Sequence, residues 1–490
     1  MSDNASENAN ESILLTDATI ITVDPSRRII LNGSILIQGS RITHVSSKPP
    51  SSLPPGTRTI SLPGRIIIPG LINTHAHLAQ SILRGLAEDL PLHNWLCDRI
   101  WPLEAAYAGS GDAADGYVAA RLTIAEMLRS GTTCFLEAML THGSGVDNVA
   151  RAVRESGVRA CLGKLVKFTE TNPALGIADA RDRDIDHMSV ASLLGAHAAH
   201  HGSCGGRLRV WAACGTPRGA PVEGYAAVAE ACREKGIGVT MHCAEAPRDL
   251  PIFREVYGCT PAEFCARAGL LGPGRRTVLA HMCHLDLAAD LPLLAAAESG
   301  ASVAHNPASN LKLASGIAAV PEMLAAGVNV GLGTDGAPCN NTYDMLREMH
   351  LASILHRGVS LDAASVGAHA ALEMATIKGA RALGLEDEVG SLEVGKKADI
   401  AVLDVRGGWA APWDPQAARE GGMDPVDLVV GTCTGRDVEL VMVDGKILVE
   451  GGKLVGMDEE EIIEAARRAV RGIRERSGVK ATQKPEWVYE

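Results

Sequence analysis

Aromatic residues are scarce in this chain, at 3% of 490 positions, so its core must rest on Ala, Val, Leu and Ile. No two of its 12 cysteines form a C-x-x-C pair. They stand singly, in apolar surroundings such as those of Cys161 and Cys214, and read as buried small hydrophobes rather than a disulfide framework. Basic charge is not in excess either. The 46 Lys and Arg against 58 Asp and Glu leave a formal net charge of -12, which argues against a nucleic-acid partner. The opening MSDNASENANES is polar and acidic, without the charged-then-apolar layout of a signal peptide, and no apolar run is long enough to span a bilayer. A cytoplasmic protein with no membrane partner is expected.

Hydrophobic residues at 46% and charged residues at 21% are ordinary for a globular protein, and the length suits one large domain with a satellite. Residues 1–11 read as a disordered tail. Short β-rich runs follow, ILLTDATIITVD and ILNGSILIQGSRITHVSS, separated by turn residues. The middle of the chain alternates short apolar runs with longer Ala/Leu/Glu/Arg stretches, as in IGVTMHC, TVLAHMC, ASVAHN and NVGLGTD, a pattern that predicts βα units around a parallel sheet. After it come VGSLEVGKKADIAVLDV and VELVMVDGKILVEGGKLV, β-rich again. The expected fold is therefore α/β: a (β/α)8 TIM-like barrel over 69–385, with a small composite β-sandwich domain built from both chain ends, 12–68 and 386–490. The style of the terminal runs predicts antiparallel pairing. Segment 458–475 places acidic residues first and basic residues last, which suits the helix macrodipole and predicts a surface helix.

Chemistry-bearing residues recur where apolar strands give way to polar loops. His75 and His77 close the run IIIPGLINTHAH, and residues i and i+2 of a strand point to the same side. His242 ends IGVTMHC, His281 ends TVLAH, and Asp335 ends NVGLGTD. In a barrel all these positions converge on the C-terminal face, where active sites form. Imidazoles with a carboxylate suit one divalent ion, Zn²⁺ first and Fe²⁺ or Mn²⁺ next. Glu245, three residues past His242, places a carboxylate beside that ion as a general acid and base.

The motifs PGLINTHAHLAQSILRGLAEDLPLHNWLCDRIWPLE, HCAE, LAHMCHL, HNPASNLKLASGIAAV and GTDGAPCNN resemble the amidohydrolase superfamily, in its branch of adenosine-type, guanine-type and triazine hydrolases. The likeness is strongest to the methylthioadenosine/S-adenosylhomocysteine deaminases and spans about residues 12–455. It implies His75, His77, His242 and Asp335 as ligands of one metal, with Glu245, His281 and Asp335 as the catalytic groups. It further implies hydrolytic deamination of a small aminated heterocycle or nucleoside, with ammonia released after hydroxide attack. Triazine-type dechlorination or aminohydrolysis is the alternative, and a catalytically inactive binding or assembly protein a minor one. Related enzymes self-associate, so a homo-oligomer is implied. Some relatives bridge two metals with a modified lysine. Lys164 and Lys167 lie near a plausible fourth strand but are read as ordinary lysines.

The same resemblance places Glu104, in WPLE, against two ribose hydroxyls. Gln80 and Arg84 either line the pocket or satisfy loop backbone, and Trp95 is read as core. One departure stands out. The nucleoside deaminases carry a G-P-H-x-P-Y segment, whereas the corresponding stretch here reads Ala213-Cys214-Gly215-Thr216-Pro217-Arg218-Gly219, so Arg218 is the candidate substrate contact in place of the histidine. The region 161–190 also departs from that branch. Cys339 stands where serine is common. The signature of the zinc deaminases that act on nucleic acids is absent, and a small heterocycle is the expected substrate.

Overall fold

The computed structural model describes residues 12–169 and 179–480. The expected tail at 1–11 lies outside them, as does part of the unusual 161–190 region. Eight parallel strands form the barrel: Leu71–His77, Thr132–Leu140, Arg159–Leu165, Leu208–Cys214, Val239–Cys243, Thr277–His281, Ala301–His305, and an eighth in two pieces, Asn329–Leu332 and Asp335–Gly336. The break in the eighth strand closes the barrel. Its first piece pairs with the seventh strand and its second with Ala76 and His77 of the first. Side chains suture the gap: Asn73 Nδ2 donates to Thr334 Oγ1 at 2.7 Å, and Thr74 Oγ1 to the Leu332 carbonyl at 2.8 Å. Gly333 sits in the break because a Cβ there would meet Asn306 Oδ1 at 2.4 Å and His75 Cβ at 2.7 Å.

These strands are buried on nearly every residue, which is why they read as short apolar runs without alternation. Lys164 lies in the third barrel strand and pairs there with Ala212 of the fourth. The run IIIPGLINTHAH is two strands rather than one. Arg65–Pro69 belongs to a different sheet, and Gly70 is the joint.

That second sheet has nine strands and joins both ends of the chain. Ser12–Ile21, Ile29–Gln38, Arg41–Ser46, Arg58–Ser61 and Arg65–Pro69 come from the first end, and Ile400–Asp404, Val438–Val443, Lys446–Glu450 and Lys453–Leu454 from the second. The seam is the antiparallel pair of Arg65–Pro69 with Ile400–Asp404. The sheet is mixed rather than purely antiparallel: Ser12–Ile21 runs parallel to both Arg58–Ser61 and Arg65–Pro69, because the connections between them cross over instead of turning back. Its core is aliphatic, with Leu15, Ile20, Ile35, Ile37, Ile67, Ile400 and Val402 buried together.

Below the barrel, Arg159 ties the two sheets. It is 2% exposed, and it donates to Asp399 at 2.9 and 3.0 Å and to Asp444 at 2.9 Å. The C-terminal helix, Glu459–Ser477, starts on an Asp458 cap and ends at Gly478 in the left-handed region. Its stripe of Ile462, Ala465, Ala466 and Ile473 is buried. Among the described residues no helix is long and apolar enough to cross a membrane.

Candidate active site

The barrel gathers His75, His77, His242, His281 and Asp335 at one point. His77 Nε2 lies 3.2 Å from His242 Nε2 and 3.2 Å from Asp335 Oδ1, and His75 Nε2 lies 3.6 Å from the same oxygen. Donors around a tetrahedral ion at about 2.1 Å would stand roughly 3.4 Å apart, so the spacing fits a divalent ion. The hydrogen bonding fits as well. Both ring nitrogens of His75 and Nε2 of His281 are buried without a hydrogen-bond partner among the described residues. The facing Nε2 atoms of His77 and His242, at 3.2 Å, are placed either to share a proton or to hold one ion together. His75, His242 and His281 form one group able to hold an ion, and His75, His77 and Asp335 another, sharing His75.

The protonation states suit the same role. Burial holds His75 down to about 4, so it stays neutral with a free lone pair. Burial, then the neighbouring imidazoles, holds His242 well below the usual range. Burial also opposes charge on His77, but the Asp335 carboxylate overrides it and the net direction is upward. Asp335 is held well below the carboxylate range despite its burial, by the His75 and His77 imidazoles beside it. Ser309 Oγ donates to Asp335 Oδ2 at 2.6 Å and the Gly336 amide to Oδ1 at 2.8 Å, which fixes the carboxylate.

Three residues here adopt left-handed backbone although none is glycine: Ala244 (φ 49°), His281 (φ 75°) and Asp335 (φ 62°). Such strain persists where surrounding structure over-determines it, and it collects at functional sites. His281 donates Nδ1–H to Asn310 Oδ1 at 2.8 Å, which leaves Nε2 as the lone-pair nitrogen, 4.0 Å from Asp335 Oδ2. Glu245 places Oε1 3.9 Å from His281 Nδ1. Burial raises its carboxyl above the usual range, against the pull of His281.

Above these groups opens a cleft of about 940 Å³, counting its mouth. The chain has only 6 Trp, 6 Tyr and 4 Phe, yet Trp95, Trp101, Phe168 and Tyr225 all line it. Trp95 is thus both core and cavity wall. On one wall Glu104 receives Gln80 Nε2 on Oε1 at 2.9 Å and Arg181 Nη1 on Oε2 at 2.9 Å. Arg181 stacks its guanidinium 5.0 Å from the Trp101 ring and also binds Asp179. Arg218 lines the cleft too, but its Nε donates to Asp249 Oδ1 at 3.0 Å. Arg84 turns away and pairs with Glu126. Cys339 is buried and donates to the Gly336 carbonyl at 3.0 Å.

Sequence reasoning missed Arg181, Asn310 and Asp249. Asn310 stands in the HNPASNLK motif, which was a signal that something in that loop mattered. Arg181 and Asp249 carry no motif of their own.

A family model described as the amidohydrolase family matches residues 66–448. A 5-methylthioadenosine/S-adenosylhomocysteine deaminase from Moorella thermoacetica is 38% identical over 454 residues, covering 92% of this chain and 97% of that protein. Among solved structures, an adenosine deaminase from Xanthomonas campestris with bound zinc superposes with a TM-score of 0.83 at 29% identity, covering 95% of this chain and 99% of the other. A zinc-complexed atrazine chlorohydrolase from Arthrobacter aurescens gives 0.79 at 26% identity, covering 94% and 100%.

Proposed function

The chain belongs to the amidohydrolase family, and from that premise we propose that it is a hydrolytic deaminase of a small aminated heterocycle or nucleoside. One observation carries the reading. Buried imidazoles, with several ring nitrogens lacking a partner among the described residues, and a carboxylate held ionised meet at donor spacing, with a second carboxylate of raised pKa beside them, on the floor of an aromatic-lined cleft. We assign His75, His77, His242 and Asp335 as ligands of one divalent ion, with zinc as first choice because the cited solved relatives carry it. Such an ion supplies Lewis acidity and brings the pKa of water to about 7. The chemistry is assigned to a barrel unit of 69–385, supported by the β-domain of 12–68 and 386–490.

The protein's own groups then divide the work. Trp95, Trp101 and Phe168 sandwich a flat ring and exclude bulk water. Glu245 takes a proton from the attacking water and delivers it to the ring nitrogen beside the amino-bearing carbon. The water oxygen adds to that carbon. Asp335 accepts the second water proton and returns it to the departing amino group, so that ammonia leaves and a carbonyl remains. His281, with its tautomer set by Asn310, holds the attacking oxygen through Nε2. Glu104 is the polar contact for a vicinal diol, since each of its oxygens keeps one lone-pair direction after Gln80 and Arg181 are bound. Arg218 also lines the cleft, with its guanidinium held by Asp249.

The test is ammonia release by protein of measured metal content, across adenosine, methylthioadenosine, S-adenosylhomocysteine, guanine, 8-oxoguanine, cytosine and aminated triazines. Ammonia from a nucleoside is the expected result. Ammonia from free bases alone keeps the chemistry and removes Glu104 as a diol contact. Chloride release from a chlorotriazine, without ammonia from any compound, replaces deamination with dechlorination. No turnover by metal-loaded protein leaves a binding role.

A further inference from the structure

Glu245 is a general acid and base whose own side chain is barely held. Among the described residues, its carboxylate receives one long hydrogen bond, from Ser315 Oγ at 3.5 Å. Its aim therefore depends on the backbone beneath it, and that backbone is strained at Ala244. A single buried carboxylate grips this turn. Asp249 Oδ2 accepts both the Glu245 amide and the Ala246 amide, each at 2.9 Å. Asp249, 1% exposed, opens the helix Asp249–Tyr257, and its own amide donates back to the Ala246 carbonyl at 2.9 Å.

Arg218 holds the other side of that carboxylate, with Nε on Oδ1 at 3.0 Å and Nη2 on Oδ2 at 3.4 Å. The loop that carries Arg218 is fixed at the far end of the same helix. The Gly219 amide donates to Tyr257 Oη at 2.7 Å, and Tyr257 Oη donates to the Ala220 carbonyl at 2.9 Å. One nine-residue helix thus spans the loops after the fourth and fifth barrel strands and binds both.

We propose that Asp249 and Arg218 are positioning residues for Glu245: Asp249 holds the strained turn through two amides, and Arg218 orients Asp249. The inference rests on the role assigned to Glu245 above. It also gives Arg218 work in the reaction without direct contact to substrate. A carboxylate accepting two backbone amides and a guanidinium fork is a rigid charge-assisted node, and a group displaced by about 1 Å from productive geometry loses on the order of 10²-fold in rate.

The experiment is a double-mutant cycle with an exchange readout. Asp249→Ala and Arg218→Met are each made alone and in an Glu245→Gln background, with Asp249→Asn as the variant that keeps an acceptor oxygen. Metal content is measured throughout. In the wild-type background, kcat is expected to fall about 100-fold for Asp249→Ala and about tenfold for Arg218→Met, with KM within about twofold and bound metal unchanged. Asp249→Asn is expected to recover part of the loss. In the Glu245→Gln background neither change should lower the remaining rate further, because the group they position is already gone. Equal losses in both backgrounds overturn the proposal, as does Arg218→Met raising KM at unchanged kcat, which would make it a substrate contact. Hydrogen–deuterium exchange of the peptide spanning Cys243–Pro247 needs no turnover, so it stands even if deamination itself fails. Faster exchange in Asp249→Ala, or in Arg218→Met if the former does not fold, supports the clamp, and unchanged exchange overturns it.

Discussion

At the scale of single residues, what each side chain does is set by what holds its atoms. Glu245 is buried with a raised pKa, so it can both take and return a proton. Glu245→Gln keeps the shape and removes the base; kcat should fall 10²–10⁴-fold by general acid–base arithmetic, while metal analysis finds the ion content unchanged. Arg181 neutralises Glu104 in the cleft wall. Arg181→Met should therefore raise KM for nucleosides about tenfold, by loss of a charge-assisted bond of roughly 1.5 kcal/mol, and leave KM for free bases unaltered in the same steady-state assay. The meeting of His75, His77, His242, His281 and Asp335 was legible because each ends an apolar run, where a barrel strand must surface. Arg181, Asp249 and Asn310 were not legible for a common reason. Arg181 reaches Glu104 across 77 positions and Asn310 reaches His281 across 29, while Asp249, which grips amides three and four positions before it, is itself held by Arg218 across 31, and the apolar pattern registers none of these pairings.

At the scale of elements, two helices support the site from outside. Met345–Ser360 carries Glu348, whose carboxylate receives Asn340 Nδ2 at 2.8 Å and the Ala308 amide at 3.3 Å, so it joins the loops after the seventh and eighth barrel strands. Burial pushes the Glu348 carboxyl up to about 7 from an unfolded value of 4.5. The folded state thus prefers it protonated. Its contribution is fully present below pH 4.5, falls as pH rises through that window to 7, and stays lost above. Glu348→Gln should remove this slope. Compared with wild type by urea unfolding, the variant should gain up to roughly 3 kcal/mol in relative stability between pH 4.5 and 8. The C-terminal helix buries Ile473 in the same cluster as Trp95, Leu103 and Leu83 behind the cleft wall. Ile473→Ala should cost about 3 kcal/mol of stability by thermal or urea unfolding and raise KM before it lowers kcat. The helix itself was legible from its ordered charges. Its docking place was not, because an Ala-rich stripe fits many apolar surfaces equally well.

At the scale of the whole molecule, barrel and terminal sheet are locked by Arg159 between Asp399 and Asp444. Arg159→Met would leave the Asp399 carboxylate, 1% exposed, with no cation beside it among the described residues, while Asp444 keeps Arg207 and Lys397 at 3.4 Å each. Unfolding stability should drop by about 3–5 kcal/mol, with kcat at 25 °C unchanged, as fluorescence-monitored denaturation and the ammonia assay can show side by side. The composite sheet was legible from the likeness of its two β-rich ends, but the parallel pairings of Ser12–Ile21 were not, since alternation of side chains is the same whichever way a neighbour runs. The seam between Arg65–Pro69 and Ile400–Asp404 bears on how the protein is made. Strands emerging first from a ribosome have their partner edge encoded hundreds of codons later. At about 5–20 residues per second the wait is on the order of tens of seconds, during which Ile66, Ile67 and Ile68, paired on one side with Ser12–Ile21, present an open aliphatic edge on the other. Expression yield should therefore depend on holdase chaperones and translation speed, and transcripts cut short before the codon for Ile400 should give aggregates rather than a smaller folded barrel.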